Sequence, residues 1–313
     1  MRKFFILFLV LAMASILITG QGCGKEEVEA AESPYVGGTQ GVVAEFEDMG
    51  IVEDSIETVW EDESFPLQVN LKNKGEEDIA AGDMEVSLKG ILISDFSGID
   101  ETDGKKDGRM KNAEKIDSVS NFNKEGGEIN IDFGNAAYVV PITGSFYDVS
   151  IFAEVVYKYK TQVAVPKVCF NGDPSDTEIC DVDEEKTVFS SGAPIQVQRV
   201  EEKSAGKGMI ALEFEVEDVG GGDVAIPGQE FSPRFDEIEY QLTPEPERDK
   251  WECSSGGKVN QARLVDDKTT IRCKLKTENK LAEDTIFTKQ IGLEISYKYK
   301  SIIHEQLRIK KTG

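Results

Sequence analysis

The chain has 313 residues, 39% of them hydrophobic and 30% charged, and a formal net charge of −24. That length and composition suit a globular protein of two ordinary domains and exclude a disordered one. A field of that sign repels phosphate backbones, which argues against nucleic-acid binding, and it disfavours lying flat on an anionic membrane.

Arg2 and Lys3 precede an apolar run from Phe4 to Ile18, broken only by Ser15, and then Thr19-Gly20-Gln21-Gly22-Cys23. A short basic region, an apolar core and a small-residue end describe a secretory signal over residues 1–22. The run is short for a membrane span of about 20 residues. Cys23 stands where a lipoprotein signal places its lipidated cysteine, and Gly22 before it is small, although Gly20 replaces the usual Leu. Cleavage near Ala30 or Ala31, or an uncleaved anchor, are the alternatives. All three put the body outside the membrane. Removing the charges of Arg2 and Lys3 takes the net charge from −24 to −26. Residues 23–40 read as an acidic, self-repelling tether.

The body carries one ten-residue pattern twice: Ile151-Phe-Ala-Glu-Val-Val-Tyr-Lys-Tyr-Lys160 and Ile291-Gly-Leu-Glu-Ile-Ser-Tyr-Lys-Tyr-Lys300. Odd positions are apolar or aromatic and charges fall on even ones, the period of a strand with one face in a core. A strand used twice predicts a domain used twice, over 41–170 and 191–313, joined by an acidic connector at 171–190. In the first repeat the expected strands are Val42–Phe46, Ile56–Trp60, Phe65 to the Asn73-Lys74-Gly75 turn, Met84–Ile93, Ile116–Phe122, Glu128–Phe133 and Tyr147–Tyr159. Asp95–Glu114 reads as an insertion. A turn at Lys160–Gln162 returns the chain through Val163–Phe170. The second repeat offers Ser191–Val200, Met209–Val219, a Gly220–Gly222 turn, Phe235–Leu242, Val259–Val265, Thr269–Leu275, and the repeated strand with a hairpin partner at Ile302–Ile309. Short alternating strands, frequent turns and no long helix predict an all-β chain of two tandem β-sandwiches.

Five cysteines leave four once Cys23 is set aside: Cys169, Cys180, Cys253 and Cys273. An even set in an exported chain predicts disulfides. The local pairing, Cys169–Cys180 and Cys253–Cys273, keeps each bridge within one repeat or at its end. Zinc is disfavoured, because paired zinc cysteines stand two to four residues apart.

Pro66-Leu-Gln-Val-Asn-Leu-Lys-Asn-Lys-Gly75 resembles the strand and turn of immunoglobulin-like surface modules of the CARDB type, where an alternating strand also ends in Asn-x-Gly. Leu212-Glu-Phe-Glu-Val-Glu-Asp-Val-Gly-Gly221 is similar, with Asp218 where Asn73 stands. The arrangement as a whole is similar to exported tandem Ig-like surface lipoproteins of archaeal type. This resemblance implies a module that binds, spaces or displays and does not catalyse.

Chemistry is sparse. His304 is the sole histidine, on the last strand, and reads as a surface or edge residue. No Gly-x-Ser-x-Gly elbow, phosphate loop or dinucleotide fingerprint is present. Asp103, Asp107 and Glu114 echo the EF-hand order, but Lys105 occupies a ligand position. Asp173, Asp176, Asp181 and Asp183 in the connector could gather a cation. The expected default for both groups is a solvated acidic loop, with no metal and no cofactor. Tyr157, Tyr159, Tyr297 and Tyr299 are expected in the core, and Trp60 and Trp251 packed. The expected function is a non-catalytic extracytoplasmic binding or spacer module, held at the outer face of the membrane by its N-terminal lipid or anchor and serving other cell-envelope proteins. The alternative is a solute- or polymer-binding lipoprotein feeding a membrane complex. A deep apolar pocket between the repeats favours that alternative, and a packed junction favours the spacer. A metal-dependent hydrolase would need a ligand cluster that the sequence does not offer.

Overall fold

The computed structural model describes residues 32–99 and 107–312, so the signal region, Cys23, the first half of the tether and Asp103 lie outside the described residues. The first repeat contributes β1 (Val42–Phe46), β2 (Ile51–Glu53), β3 (Ile56–Trp60), β4 (Phe65–Asn73), β5 (Met84–Lys89), β6 (Phe96–Ile99), β7 (Arg109–Lys111), β8 (Glu128–Tyr138) and β9 (Phe146–Asn171). The second contributes β10 (Glu184–Lys186), β11 (Phe189–Ser190), β12 (Ile195–Gly206), β13 (Met209–Asp218), β14 (Asp223–Ala225), β15 (Asp236–Thr243) and the single-turn helix α1 (Glu245–Arg248). It ends with β16 (Trp251–Ser255), β17 (Lys258–Val259), β18 (Gln261–Leu264), β19 (Lys268–Leu275) and β20 (Ile286–Lys310).

The fold is all-β and sandwich-like, as the alternation predicts. One sheet runs the length of the molecule in the order β18-β15-β20-β9-β5-β7, with β11 paired to β9, and β14 and the β2–β3 hairpin attached to β20. Two smaller sheets complete the layers: β1-β4-β8-β6 from the first repeat and β10-β12-β13-β19-β16-β17 from the second. The core sits where alternate side chains of these sheets meet. In β4, Phe65, Leu67, Val69 and Leu71 are at most 2% exposed, while Gln68, Asn70 and Lys72 between them are partly exposed.

The centre of the long sheet is the repeated strand paired with itself. β9 and β20 are antiparallel from Phe146–Lys310 to Asn171–Ile286. Lys158 faces Lys298, its own equivalent 140 residues on, and Tyr157 and Tyr159 face Tyr299 and Tyr297. A local pseudo-two-fold axis therefore passes between the two lysines, and the sheet order is palindromic about it: β7 answers β18, β5 answers β15 and β9 answers β20.

Two expected hairpins are absent. β9 runs through Lys160–Gln162 for 26 residues, and β20 runs through Ser301 for 25. Lys160-Thr161-Gln162 contains none of the usual turn formers. Thr161 is fully buried and keeps the inward parity of Tyr159 and Val163. At about 3.3 Å per residue each strand spans about 80 Å. Sequence boundary and packing boundary therefore differ. The end of β9 packs with the second repeat, where the Phe170 ring meets Trp251 edge-on at 6.0 Å. The end of β20 lies parallel to β3 of the first, Leu307–Lys310 beside Glu57–Trp60.

Three smaller expectations also change. Ile116–Phe122 is no strand: Ile116 makes an isolated bridge to Ile79, and Phe122 is fully exposed. β5 stops at Lys89 because Gly90 turns the chain with φ 78°. Trp251 is buried, but Trp60 is 36% exposed at the far end of the long sheet.

Candidate functional site

The junction of the repeats is filled by aromatic rings. Tyr157, Tyr159, Tyr297 and Tyr299 are at most 3% exposed. Their centroids form a closed square with sides of 5.5, 6.3, 6.2 and 5.7 Å, the spacing of favourable edge and tilted contacts. Burial pushes all four phenols above the ordinary tyrosine range, so each remains a hydrogen-bonding OH.

Each hydroxyl has a partner, and two of the partners explain the turn motif. Tyr159 donates to Asn73 Oδ1 at 3.0 Å, which also accepts the Gly75 N–H at 3.2 Å. In the second repeat Tyr299 donates to Asp218 Oδ1 at 3.2 Å, which accepts the Gly220 N–H at 2.9 Å. A Cβ at Gly75 would strike the Tyr159 hydroxyl, and one at Gly220 the Tyr299 hydroxyl. The Asx-x-Gly turn and the Tyr-Lys-Tyr-Lys strand are thus two halves of one device, present in both repeats. Tyr157 accepts the Val42 N–H at 3.1 Å. Tyr297 shares a hydrogen bond of 3.1 Å with Thr161, whose Oγ1 donates to Ile195 O at 2.7 Å. Above the rings, Glu294 accepts from Gln162 Nε2 and Gln241 Nε2 at 2.8 Å each, and from Lys160 Nζ at 3.4 Å. The space where an inter-repeat ligand pocket would lie is occupied by side chains of both repeats.

The cysteines pair as the local reading expects, Cys169–Cys180 and Cys253–Cys273. The second bridge joins directly opposed residues of β16 and β19. Two disulfides indicate an oxidising, extracytoplasmic environment. Among the described residues no helix is long and apolar enough to cross a membrane.

Beneath the first bridge lies Glu202, 1% exposed. Its Oε2 accepts the Cys169 N–H at 2.8 Å and pairs with Lys186 Nζ at 3.0 Å, while Oε1 has no partner among the described residues. Burial pushes its carboxyl up to about 7, against the Cys169 N–H and Lys186, which favour the anion. Burial likewise raises Asp218 to about 6. Between about pH 4 and these values each group holds a proton in the folded state that the unfolded chain has released. Their contribution to stability is full below the unfolded values, near 4, and is lost as pH rises through about 6 for Asp218 and about 7 for Glu202. Glu202→Gln and Asp218→Asn should each flatten the dependence of stability on pH between 5 and 8. Each should remove a pH-dependent change on the order of 2 kcal/mol. Denaturant titrations across that range check it, and an unchanged slope counts against the burial argument.

The remaining site residues among those described do not come together as a catalytic or metal centre, and Asp103 lies outside them. Asp107 Oδ1 accepts the Arg109 N–H, and Glu114 contributes its backbone carbonyl to Asn112. In the connector, Asp173 accepts from the Ser175 backbone, Asp176 from that of Glu178, and Asp181 from that of Asp183, so these carboxylates cap their own turns. Asp183 accepts from Ser204. Among the described residues no group of three or more His, Cys, Asp or Glu could hold a metal ion. His304 is exposed and stacks on Phe152 at 5.8 Å.

One open groove, of about 740 Å³, lies away from the junction, in the second repeat. The loop between β14 and β15 supplies Phe231, Arg234 and Phe235, β20 supplies Lys300, and the turn after β18 supplies Asp266 and Asp267. No local motif marks it, because its lining runs from Asp223 to Lys300 and only the sheet order brings these parts together.

No protein-family model matches the chain, and no curated protein does. Among solved structures, the secreted serine protease VesC from Vibrio cholerae is similar over 82% of this chain and 50% of its own, at 11% identity and a TM-score of 0.21. The chain spans about half the length of that protein, and likeness at this level carries neither fold nor activity across.

Proposed function

We propose that the protein is a non-catalytic extracytoplasmic spacer and binding module, held at the outer face of the membrane through its N-terminal segment and serving other cell-envelope proteins. The observation that carries this reading is the continuity of β9 and β20 through a ring-filled junction. Two paired strands of this length, each unbroken where it passes through the junction, make a stiff arm rather than a hinged pair of lobes. The tandem immunoglobulin-like reading of 41–170 and 191–313 fits the same picture, with each repeat lending a strand end to the other. The acidic composition keeps such an arm soluble and apart from anionic neighbours. The alternative, a polymer-binding lipoprotein feeding a membrane complex, draws its support from the groove beside Phe231 and not from the junction.

Cross-linking mass spectrometry on the native membrane fraction tests the proposal. The expected result is recovery of the chain with membranes and cross-links dominated by envelope proteins. Recovery in the cytosol, or cross-links to cytosolic proteins, would overturn it.

A further inference from the structure

The stiff-arm reading leaves the groove in the second repeat without a role, and its chemistry is specific. We propose that it is a binding site for a neutral oligosaccharide, which deepens the binding half of the function proposed above.

Charge comes first. The lining holds three cations, Arg234, Arg263 and Lys300, and four carboxylates, Asp223, Asp236, Asp266 and Asp267. A strongly charged ligand of either sign would meet repulsion along part of this wall. An uncharged ligand rich in hydroxyls meets none, because each hydroxyl can both donate and accept.

Next is the state of these groups. Lys300 is paired with Asp223 at 2.5 Å, and Asp236 accepts the Val224 N–H at 2.7 Å. By contrast, Arg234 is alone among the described arginines in having no partner for its guanidinium. The carboxylates of Asp266 and Asp267 also carry no hydrogen bond or ion pair among the described residues. Those two residues form a two-residue turn with φ of 50° and 64°, closed by Val265 N–Lys268 O at 2.8 Å and Lys268 N–Val265 O at 3.2 Å. The turn's own hydrogen bonds are complete without the carboxylates. One planar donor and two acceptors therefore stand unengaged at one groove.

The apolar part of the wall is aromatic and fixed. Phe231 and Phe235 are partly exposed. Lys298 and Lys300 stand 4.5 and 4.8 Å from the Phe231 centroid, and the Arg263 guanidinium stands 3.6 Å from that of Phe235. These cations cover part of each ring, so the C–H face of a sugar would stack on the ring surface left exposed, with the free Arg and Asp groups left for the hydroxyls. The groove is open, within the size range of small-ligand sites, and suits a chain passing along it. A peptide added as a strand to the free edge of β18 would leave Arg234, Asp266 and Asp267 unused.

The test is saturation-transfer difference NMR on the full chain. The probes are maltohexaose, cellohexaose, mannohexaose and N-acetylchitohexaose, with hexagalacturonate and a mixed-sequence hexapeptide as controls. At least one neutral hexasaccharide should receive saturation and bind at least tenfold more tightly than hexagalacturonate. Phe231→Ala and Arg234→Ala should each weaken that binding tenfold or more, while Lys89→Ala in the other repeat leaves it unchanged. Arg234→Ala removes an exposed, unpartnered group and so keeps the fold, which melting curves verify. Absence of transfer to all four neutral probes, undiminished binding in Arg234→Ala, or binding of the peptide alone would overturn the proposal. Such a failure leaves the recovery of the chain with membranes unaffected, and a cytosolic chain that still binds sugar would sink the location and not the site.

Discussion

Replacing Tyr297 by alanine should lower stability by about 4 kcal/mol. The side chain is fully buried, and its loss removes ring contacts to Tyr159 and Tyr299 and a hydrogen bond to Thr161. Tyr159 belongs to the first repeat and Tyr297 to the second, so the cavity opens where both are held together. The destabilisation should reach the first repeat as well as the second, seen as faster amide exchange in β5 as well as in β15. Tyr297→Phe is the control. It keeps the ring and removes only the hydroxyl, and since Thr161 retains its bond to Ile195 O, the expected cost is about 1 kcal/mol. Guanidinium titrations of the two variants check both figures. A loss confined to the second repeat would contradict the shared junction.

Removing a disulfide should come close in size. Cys253→Ser with Cys273→Ser frees a loop with a sequence separation of 20, and Cys169→Ser with Cys180→Ser one of 11. The chain-entropy account gives about 3 kcal/mol for each. The two losses should differ in character. Cys253 and Cys273 pair opposite residues of adjacent strands, so their removal lowers the melting temperature without altering the strand register. Cys169–Cys180 instead ties the connector down beside Glu202, whose carboxylate accepts the Cys169 N–H. Releasing it should let water reach Glu202 and bring its titration back towards the ordinary carboxylate range. Melting curves with and without reductant, read at pH 5 and pH 7.5, separate the two effects.

Much of this architecture was legible in the sequence because it rests on local pattern. The period of two placed Leu67, Val69 and Leu71 on one face. The apolar neighbours of the four tyrosines put them in the core, and an even set of exported cysteines implied local bridges. Continuity through Thr161 was also written there, since the inward parity of Tyr159, Thr161 and Val163 is unbroken and no turn former interrupts it. The expectation of a hairpin came from assuming that each repeat closes on itself. The pairing of β9 with β20 was not legible, because register between strands 140 residues apart is fixed by the whole sheet and not by either strand. Phe122 shows the reverse error: an alternating run read as a strand is held at Ile116 by a single bridge and then leaves the sheet. The groove was hidden for the same long-range reason, with Phe231 and Lys300 meeting only after β14 has paired with β20.

The tyrosine junction should make the two repeats one stiff body. Trp60 lies in the first repeat beside Lys310 of β20, and Trp251 in the second beside Phe170 of β9. Each therefore reports on one repeat at the point where the other's strand crosses it. The most direct measurement is equilibrium unfolding of Trp60→Phe and Trp251→Phe proteins, with tryptophan fluorescence compared against far-ultraviolet circular dichroism in each. The two probes should coincide in both variants, as one cooperative transition. Separate fluorescence and dichroism midpoints, with one repeat unfolding while the other persists, would contradict it.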